Sequence, residues 1–264
     1  MKALNDAHEL EYEKMPEVVA KAPGRFHLAG EHSWFYKDKT ISMAMNLYVH
    51  IAVSKRDDGL AKIYFHQLND RKKITISTNK FRKEDKWANA VKSVIYGFTS
   101  GGFSIGGVDI TVYTDIMPSA GFGITTAMKA ATAIALRKLF ELNCSDVQLL
   151  QVLERGNRLF LKRNNFLSDN YAALFAKKGS LIITDYAKNS WDYVPFNFPN
   201  RKIIITDTTV PRISVWNEDT LFDPKYALLL GELKDKKNSV YGGWSYINSS
   251  ADIDEVLSVL SKDE

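Results

Sequence analysis

The sequence predicts an α+β fold with mixed β-sheets and packed helices. Strand-like runs rich in β-branched residues occur, as at residues 48–53, and apolar residues also recur at helical spacing, as at residues 87–96. The two kinds of segment follow one another irregularly along the chain. A doubly wound parallel sheet would need strands and helices in regular alternation, so the irregular order favours the α+β class.

The length and composition are typical of a globular protein with one or two domains. The chain has 264 residues, of which 45% are hydrophobic and 25% charged. A net charge of +4 with scattered basic residues does not predict a nucleic-acid surface. The single cysteine excludes an internal disulfide. Neither a secretory signal nor an apolar run of membrane-spanning length is found, so we expect a cytoplasmic protein without a membrane partner.

We expect three regions along the chain. Residues 1–17 are polar and predict an amino-terminal arm, either an appended helix or a loose segment. Residues 18–200 carry the clear strand and helix patterns and form the main domain. The patterns weaken after residue 209, so residues 201–264 are interpreted as a reduced carboxy-terminal domain.

The first part of the main domain is expected to be rich in strands. Pro23 and Gly24 are expected to end the first strand, because proline cannot donate to a sheet ladder. A turn at residues 57–59 contains Asp-Gly and predicts a hairpin. The strands predicted here are 18–22, 25–30, 41–45, 48–53 and 61–65.

The second part is expected to alternate between helices and single strands. Trp87, Val91 and Val94 lie at helical spacing, and Ser145 is a favourable residue for capping a helix. The helices predicted here are 87–96, 125–140, 145–160, 167–176, 226–234 and 253–260, and the strands are 108–113, 181–186 and 201–207.

Residues 115–128 form the most informative segment, in which a proline, glycines and hydroxyl residues lead into an alanine-rich helix. Glycines such as Gly121 and Gly123 let backbone approach a ligand closely, and the positive end of a helix attracts anions. Thr125 or Thr126 can cap the helix or reach a metal ion. The segment is thus a candidate phosphate-binding loop. Taken alone, the segment is better explained as an ordinary loop in which a threonine caps the helix.

Four segments together resemble the GHMP superfamily of small-molecule kinases, and the galactokinases in particular. Residues 22–32 resemble the signature A-P-G-R-x-N-L-I-G-E-H, and residues 87–92 resemble W-A-N-Y-V-K. The loop at 115–128 stands where the family has P-x-G-x-G-L-S-S-S-A, and residues 168–171 resemble M-D-Q before a glycine turn and a strand that ends in Asp. The resemblance covers residues 18–210.

The resemblance implies a GHMP-kinase fold and a set of site residues. An aspartate of such kinases accepts the proton of a sugar hydroxyl while an arginine stabilises the attacking oxyanion. Without the resemblance, an N-cap for Asp169, a surface ion pair for Arg25 and a buried pair of Glu31 with His32 would be favoured. The implied roles are catalytic for Arg25 and Asp169, sugar-binding for Glu31, His32 and Trp34, nucleotide-binding for Gly121, Gly123, Thr125 and Thr126, and magnesium-binding for Thr126 and Asn157.

At several positions the sequence differs from the family pattern, and these differences affect the expected kinase activity. Trp34 stands where the family has an aspartate that accepts hydrogen bonds from galactose, and indole has no acceptor. In the loop, the family glycines align with Ala120 and Phe122, so side chains are expected where bare backbone should meet phosphate. Asn157 aligns with the magnesium-binding glutamate and is neutral. The family's glycine-rich third motif is not found, since the paired glycine after residue 201 is at 242–243.

These departures favour a degenerate kinase that works as a binding or regulatory module with little or no phosphotransfer. Its ligand would be a sugar or a similar molecule, and the aromatic residues 34–36 would contact a protein partner or a new ligand, or pack locally. The alternative is an active sugar 1-kinase that uses ATP and Mg²⁺, with a substrate other than galactose. A third interpretation is a half-kinase that completes its site in a homo-oligomer.

Overall fold

The computed structural model describes residues 2–31, 38–117, 120–162, 167–197, 203–204 and 206. The helices within these ranges are α1 (Lys2–Tyr12), α2 (Ala88–Thr99), α3 (Ile124–Leu139), α4 (Asp146–Arg155) and α5 (Leu167–Phe175). The strands are β1 (Val18–Ala29), β2 (Lys39–Arg56), β3 (Leu60–Phe65), β4 (Asp70–Thr75), β5 (Gly107–Thr114), β6 (Ser180–Asp185) and β7 (Ser190–Pro195).

The strands form one mixed sheet organised around β2. Its order is β4-β3-β5-β2-β6-β7, and β1 also pairs with β2. β2 is 18 residues long and pairs antiparallel with β1, β5 and β6, whereas β3 and β5 are parallel. The predicted α+β class with a mixed sheet and packed helices is therefore confirmed. β1 also contacts α3 and α5, which cover one face of the sheet.

The core lies between one face of the sheet and helices α2 to α5. α3 packs on β1, β2 and α2, and its fully buried alanines let these elements approach it closely. Val49, Ile51 and Val53 of β2 meet it from the sheet side. The buried alanines of α3 are Ala127, Ala130, Ala131, Ala133 and Ala135. This packing fixes the amino-terminal end of α3 close to the end of β1.

α1 packs on the opposite face of the sheet. His8 is fully buried, with Nδ1 2.9 Å from Thr111 Oγ1 and Nε2 3.0 Å from Ser54 Oγ. Side chains alternate along a strand, so Ser54 and Thr111 point away from the core face that carries Val53 and Ile110. Burial and the charge of Lys14 lower the pKa of His8 to about 4, so it holds α1 as a neutral residue. Of the two alternatives for the amino-terminal residues, the helix is correct.

Several sequence predictions about element ends were wrong. The strands predicted at 41–45 and 48–53 are both parts of β2. β1 continues through Pro23 and Gly24, because the pairing register with β2 shifts between Pro23 and Arg25 and so accommodates the proline without a break. The helix predicted over 145–160 is α4 up to Arg155, followed by a π-helical turn at Gly156–Phe160. Ser145 caps α4 as expected, in a capping box with Gln148.

The edge strands β4 and β7 were not predicted, because polar residues interrupt the apolar pattern that the prediction relied on. β4 alternates between partly buried and exposed positions and carries Arg71 and Lys73 on its exposed face. Charged residues of this kind are common on edge strands, where they discourage pairing with other chains. The helices predicted at 226–234 and 253–260 and the reduced domain at 201–264 lie outside the described residues, apart from 203–204 and 206. None of the helices in the described ranges has the length and apolarity to span a membrane.

Candidate active site

An ion pair between β1 and α5 forms the centre of the candidate site. Arg25 Nε donates to Asp169 Oδ1 at 2.6 Å, and Nη2 donates to Oδ2 at 3.0 Å. The exposed fractions of these two side chains are only 12% and 10%. The planar guanidinium thus binds the carboxylate through two hydrogen bonds away from bulk water, which is the strong form of this interaction. The surface ion pair considered for Arg25 and the N-cap considered for Asp169 are both wrong.

The loop before α3 is hydrogen-bonded to Arg25. Arg25 Nη1 donates to the carbonyl of Gly121 at 2.6 Å, and the Arg25 backbone N–H donates to the carbonyl of Phe122 at 2.9 Å. Gly121 and Gly123 have φ angles of 80° and 72°, a conformation that favours glycine. A Cβ atom on Gly24 would lie 2.8 Å from the Phe122 oxygen, so β1 and the loop touch through backbone. The displaced glycines therefore still shape the loop.

Gly123 is the N-cap residue of α3, so neither Thr125 nor Thr126 caps the helix. Glycine has no side chain with which to satisfy the first-turn N–H groups, and these remain available to bind an anion. Thr125 is exposed at this end, whereas Thr126 is buried and its hydroxyl donates to Asp169 Oδ2 at 3.4 Å. The structure therefore brings three predicted site residues, Thr126, Arg25 and Asp169, into one network.

A histidine that the sequence prediction did not single out completes this network. His27 Nε2 is 3.1 Å from Asp169 Oδ1 and 3.1 Å from Ser168 Oγ, which in turn accepts a hydrogen bond from Tyr186 at 2.9 Å. Burial alone would raise the pKa of Asp169, but the hydrogen bond from His27 and the charge of Arg25 hold it well below its usual range. We call Arg25, His27, Ser168 and Asp169 the Arg25 cluster. His27 occupies the asparagine position of the signature, and this departure was the available signal.

A second network, the Lys129 cluster, joins α3 to α4 and the π-helical turn. Lys129 Nζ donates to Asn157 Oδ1 at 2.5 Å, and both side chains are buried. Asn170 Nδ2 donates to Glu154 Oε1 at 2.6 Å. Burial raises the pKa of Glu154 to about 7, although the hydrogen bond from Asn170 and the charge of Lys129 oppose that rise. We define the cluster as Lys129, Glu154, Asn157 and Asn170. Lys129 lies one helical turn after Thr126, which was already a predicted site residue. This spacing could have identified Lys129 from the sequence, but the sequence analysis did not use it.

The two side chains that the superfamily resemblance assigns to a magnesium ion, Thr126 and Asn157, do not fit that ion. A magnesium site needs oxygen ligands with negative charge, whereas the amide oxygen of Asn157 is bound to an ammonium ion. The other candidate ligand, Thr126, donates to Asp169. In the part of the chain that is described, no three His, Cys, Asp or Glu side chains form a group that could hold a metal ion.

The remaining predicted residues lie at or beyond the edge of the described structure. The Glu31 side chain is 48% exposed, with Oε1 3.8 Å from His27 Nδ1. His32 and Trp34 lie outside the described residues, as do the family-aligned Pro118 and the paired glycine at 242–243. The proposed pairing of Glu31 with His32 and the aromatic contact at 34–36 stay predictions.

Comparison with known proteins identifies the class. A family model described as "GHMP kinases N terminal domain" matches residues 88–177, and one described as "Galactokinase galactose-binding signature" matches residues 6–55. Together with the mixed sheet and the Arg25 cluster, these matches show that the chain belongs to the GHMP kinase superfamily. Within that superfamily it is galactokinase-like.

Individual relatives agree with this assignment. A Treponema pallidum protein named "Putative galactokinase" is 36% identical over 220 residues, which are 83% of this chain and 55% of the relative. The Thermotoga maritima galactokinase is 27% identical over 193 residues, which are 73% of this chain and 53% of that protein. The chain thus spans about half the length of the curated relatives it matches.

Solved structures share the fold. The Lactococcus lactis galactokinase crystallised with galactose aligns with a TM-score of 0.68 at 19% identity, over 78% of this chain and 57% of that one. The Methanococcus jannaschii mevalonate kinase aligns with a TM-score of 0.57 at 15% identity, over 93% of this chain and 74% of that one.

Proposed function

We propose that this chain binds a sugar or a similar polyol at the Arg25 cluster and transfers phosphate from ATP slowly or not at all. The observation that carries the proposal is the hydrogen bond from Lys129 to Asn157. It places an ammonium ion against the side chain that the resemblance assigns to a magnesium ion. Like charges repel strongly in a buried site, so a divalent cation is disfavoured there.

The state of Asp169 supports weak phosphotransfer as well. A carboxylate has about four lone-pair positions, and Asp169 meets four hydrogen-bonding atoms, two from Arg25 and one each from His27 and Thr126. A sugar hydroxyl would have to displace one of these donors to deliver its proton. Because the pKa of Asp169 is also held low, this carboxylate is a weak general base.

Arg25 supports the ligand-binding part of the proposal. Its contacts with Asp169 and Gly121 use three of the five N–H donors of a guanidinium. Two donors therefore can bind a ligand oxygen without disturbing the ion pair. The structural neighbour crystallised with galactose makes this hexose the first ligand to test. A regulatory role with a protein partner, contacted through residues 34–36, is proposed from the sequence alone.

The second candidate is an active sugar 1-kinase that uses ATP and Mg²⁺. The bidentate contact of Arg25 with Asp169 favours it, because that pair matches the arginine and aspartate that the superfamily uses for phosphoryl transfer. In that case, the anion-binding end of α3 would hold the nucleotide phosphates through Gly121, Gly123 and Thr125.

One experiment separates the two candidates. The full chain is incubated with ATP, Mg²⁺ and a panel of hexoses that includes galactose, and sugar 1-phosphate is measured by ³¹P NMR. Thermal unfolding with each ligand reports binding, since a ligand at about a hundred times its Kd stabilises the folded state by about 2.7 kcal/mol. We expect a sugar to raise the Tm, and transfer to stay at the level of Asp169→Asn.

Asp57→Asn is the matched control, because Asp57 is exposed in the turn between β2 and β3. Sugar phosphorylation that Asp57→Asn retains and Asp169→Asn abolishes would establish the kinase. If no sugar alters the Tm and no sugar is phosphorylated, both candidates are wrong.

A further inference from the structure

Two tyrosines hold the two ends of α5 against the hairpin of β6 and β7. Tyr186, directly after β6, is hydrogen-bonded to Ser168 in the first turn of the helix. Tyr193 of β7 donates to the carbonyl of Phe175, the last residue of α5, at 2.7 Å. The first contact adjoins the Arg25 cluster because Asp169 follows Ser168, whereas the second lies about two helical turns away.

The phenol of Tyr186 makes two hydrogen bonds to one residue. Its O–H donates to Ser168 Oγ at 2.9 Å, and its oxygen accepts the backbone N–H of Ser168 at 3.3 Å. The first N–H groups of a helix have no acceptor within the helix, so this contact caps α5 from the sheet. Both residues are buried. Burial raises the pKa of Tyr186 above its ordinary value of 10.0, so the phenol keeps the proton that it donates.

Ser168 links Tyr186 to the Arg25 cluster. His27 Nε2 lies 3.1 Å from both Ser168 Oγ and Asp169 Oδ1. An ionised carboxylate only accepts hydrogen bonds, so Nε2 carries a hydrogen, which the two oxygens share. A hydroxyl oxygen has two acceptor positions, and those of Ser168 face Tyr186 and His27. The phenol therefore orients the Ser168 hydroxyl, and with it one acceptor of the His27 hydrogen beside Asp169.

This link is not part of the family pattern. Ser168 stands at the methionine of the motif M-D-Q, and His27 stands at the asparagine of the signature. A methionine thioether donates no hydrogen bond and is a weak acceptor, so it cannot join Tyr186 to the cluster in this way. The chain thus supports Asp169 through contacts that the family motifs do not supply.

We propose that Tyr186 is a positioning residue for the candidate sugar site. By capping α5 through Ser168, it holds the carboxylate of Asp169 in place within the Arg25 cluster. This inference rests on the proposed function, because the ligand is expected to bind at that cluster. Without the phenol oxygen, the buried N–H of Ser168 loses its acceptor, which is costly, and the first turn of α5 moves to recover one. The carboxylate then moves away from Arg25, and ligand affinity falls.

Two conservative substitutions separate this role from general stability. Tyr186→Phe removes the phenol oxygen and keeps the ring in the core. Tyr193→Phe makes the same chemical change at the far end of the same helix, where it removes the hydrogen bond to Phe175. It serves as the matched control, because that contact lies outside the Arg25 cluster.

The experiment follows the Arg25 cluster in the free protein and then measures ligand binding. In the full chain, exchange of the Arg25 Nε hydrogen with water is followed by NMR, and urea unfolding gives the stability of each variant. We expect Tyr186→Phe to accelerate this exchange about tenfold, because the contact between Arg25 and Asp169 opens more often. The Kd for D-galactose, measured by calorimetry, should rise about tenfold, the loss expected for one charge-assisted hydrogen bond. Tyr193→Phe should change neither, although it also unfolds at a lower urea concentration.

Unchanged exchange in Tyr186→Phe would overturn the proposal, as would galactose binding that this substitution does not weaken. Equal acceleration in both variants would overturn it too, because general loosening would then explain the effect. In the original protein the Ser168 amide hydrogen should exchange slowly, and exchange as fast as that of an exposed amide would contradict the cap without any variant. If galactose does not bind while Tyr186→Phe alone accelerates exchange, the proposed sugar site is rejected and the role of Tyr186 stands.

Discussion

The Arg25 cluster and the Lys129 cluster differ in the side chain to which the buried cation donates a hydrogen bond. In the first, Arg25 meets an ionised carboxylate through two hydrogen bonds, and a histidine adds a third donor. In the second, Lys129 donates to the neutral amide of Asn157, beside Glu154 with its raised pKa. The comparison shows that one side of the site keeps the charge pattern of the superfamily resemblance while the other has changed it.

The difference matters because a buried charge is costly without a partner of opposite sign. Asp169 stays ionised since its donors outweigh the cost of burial, whereas the carboxyl of Glu154 is partly protonated near neutral pH. A buried ion pair and a buried carboxyl group with a raised pKa should therefore respond differently to mutation and to pH.

The largest expected effect is that of Asp169→Ala. It leaves the guanidinium of Arg25 buried without its carboxylate, which costs about 3–5 kcal/mol for a buried pair. Urea unfolding followed by circular dichroism measures the loss. Asp57→Ala, at an exposed position, is the control and should unfold close to the original midpoint. A loss as small as that of the control would show that the Arg25 cluster is not a buried ion pair.

The next effect concerns Glu154→Gln. The pKa of Glu154 is raised from 4.5 to about 7, so between these values the unfolded chain loses a proton that the folded chain keeps. Stability from this carboxyl group therefore falls as the pH rises through that range. At pH 8, Glu154→Gln should raise the free energy of unfolding by up to about 3 kcal/mol, with little change at pH 4.

Glu84→Gln is the control, because Glu84 is exposed and should give the same small effect at both pH values. Urea titrations at pH 4 and pH 8 supply the comparison. A stability difference for Glu154→Gln that does not change with pH would mean that folding does not raise the pKa of Glu154.

A smaller effect is expected where β1 touches the loop before α3. Gly24→Ala would place a Cβ atom 2.8 Å from the Phe122 carbonyl oxygen and 3.0 Å from Ile116 Cδ1. Overpacking of this kind costs about 1–3 kcal/mol, and it should also separate the loop from Arg25. Gly59→Ala is the control, since no atom lies within 4 Å of the added Cβ. Equal unfolding midpoints for the two variants would contradict the backbone contact.

The smallest effect tests the Lys129 cluster as a former metal site. The double substitution Lys129→Met with Asn157→Glu removes the ammonium ion and adds the carboxylate that the resemblance implies. We expect Mn²⁺, used as a spectroscopic probe for Mg²⁺, to bind at least about tenfold more tightly than to the original protein. Asn157→Glu alone is the control, because Lys129 would pair with the new carboxylate. Equal Mn²⁺ affinity in all three proteins would argue against a metal position there.

Sequence patterns predicted most of the scaffold because burial on one face leaves a period in the chain. The helix predicted at 125–140 is α3 within one residue at each end, and the strand predicted at 108–113 lies within β5. The polar edge strand β4 has no such period of apolar residues and was missed. Pro23 was misleading because a shift in register accommodates it, and register depends on the partner strand.

Some residues of the candidate site could likewise be predicted from the sequence, and others could not. The residue types of Arg25 and Asp169 and their places in the family motifs suffice to predict both as site residues, whereas their ion pair across 144 positions of sequence is seen only in the structure. The partners of Lys129 could not be predicted in this way, because a lysine in an alanine-rich helix can also extend into solvent. Only the packing of α3 against α4 and the π-helical turn directs its ammonium group to Asn157.

What the sequence by itself determined is the superfamily and the α+β class, and it singled out Arg25 and Asp169 as candidate site residues, since these inferences depend on local pattern and on residue type. The tertiary structure alone decided how the charges are compensated. Donors and acceptors from distant segments meet only when the chain is packed, and the protonation of Asp169, Glu154 and His27 depends on that packing through burial and neighbouring charge.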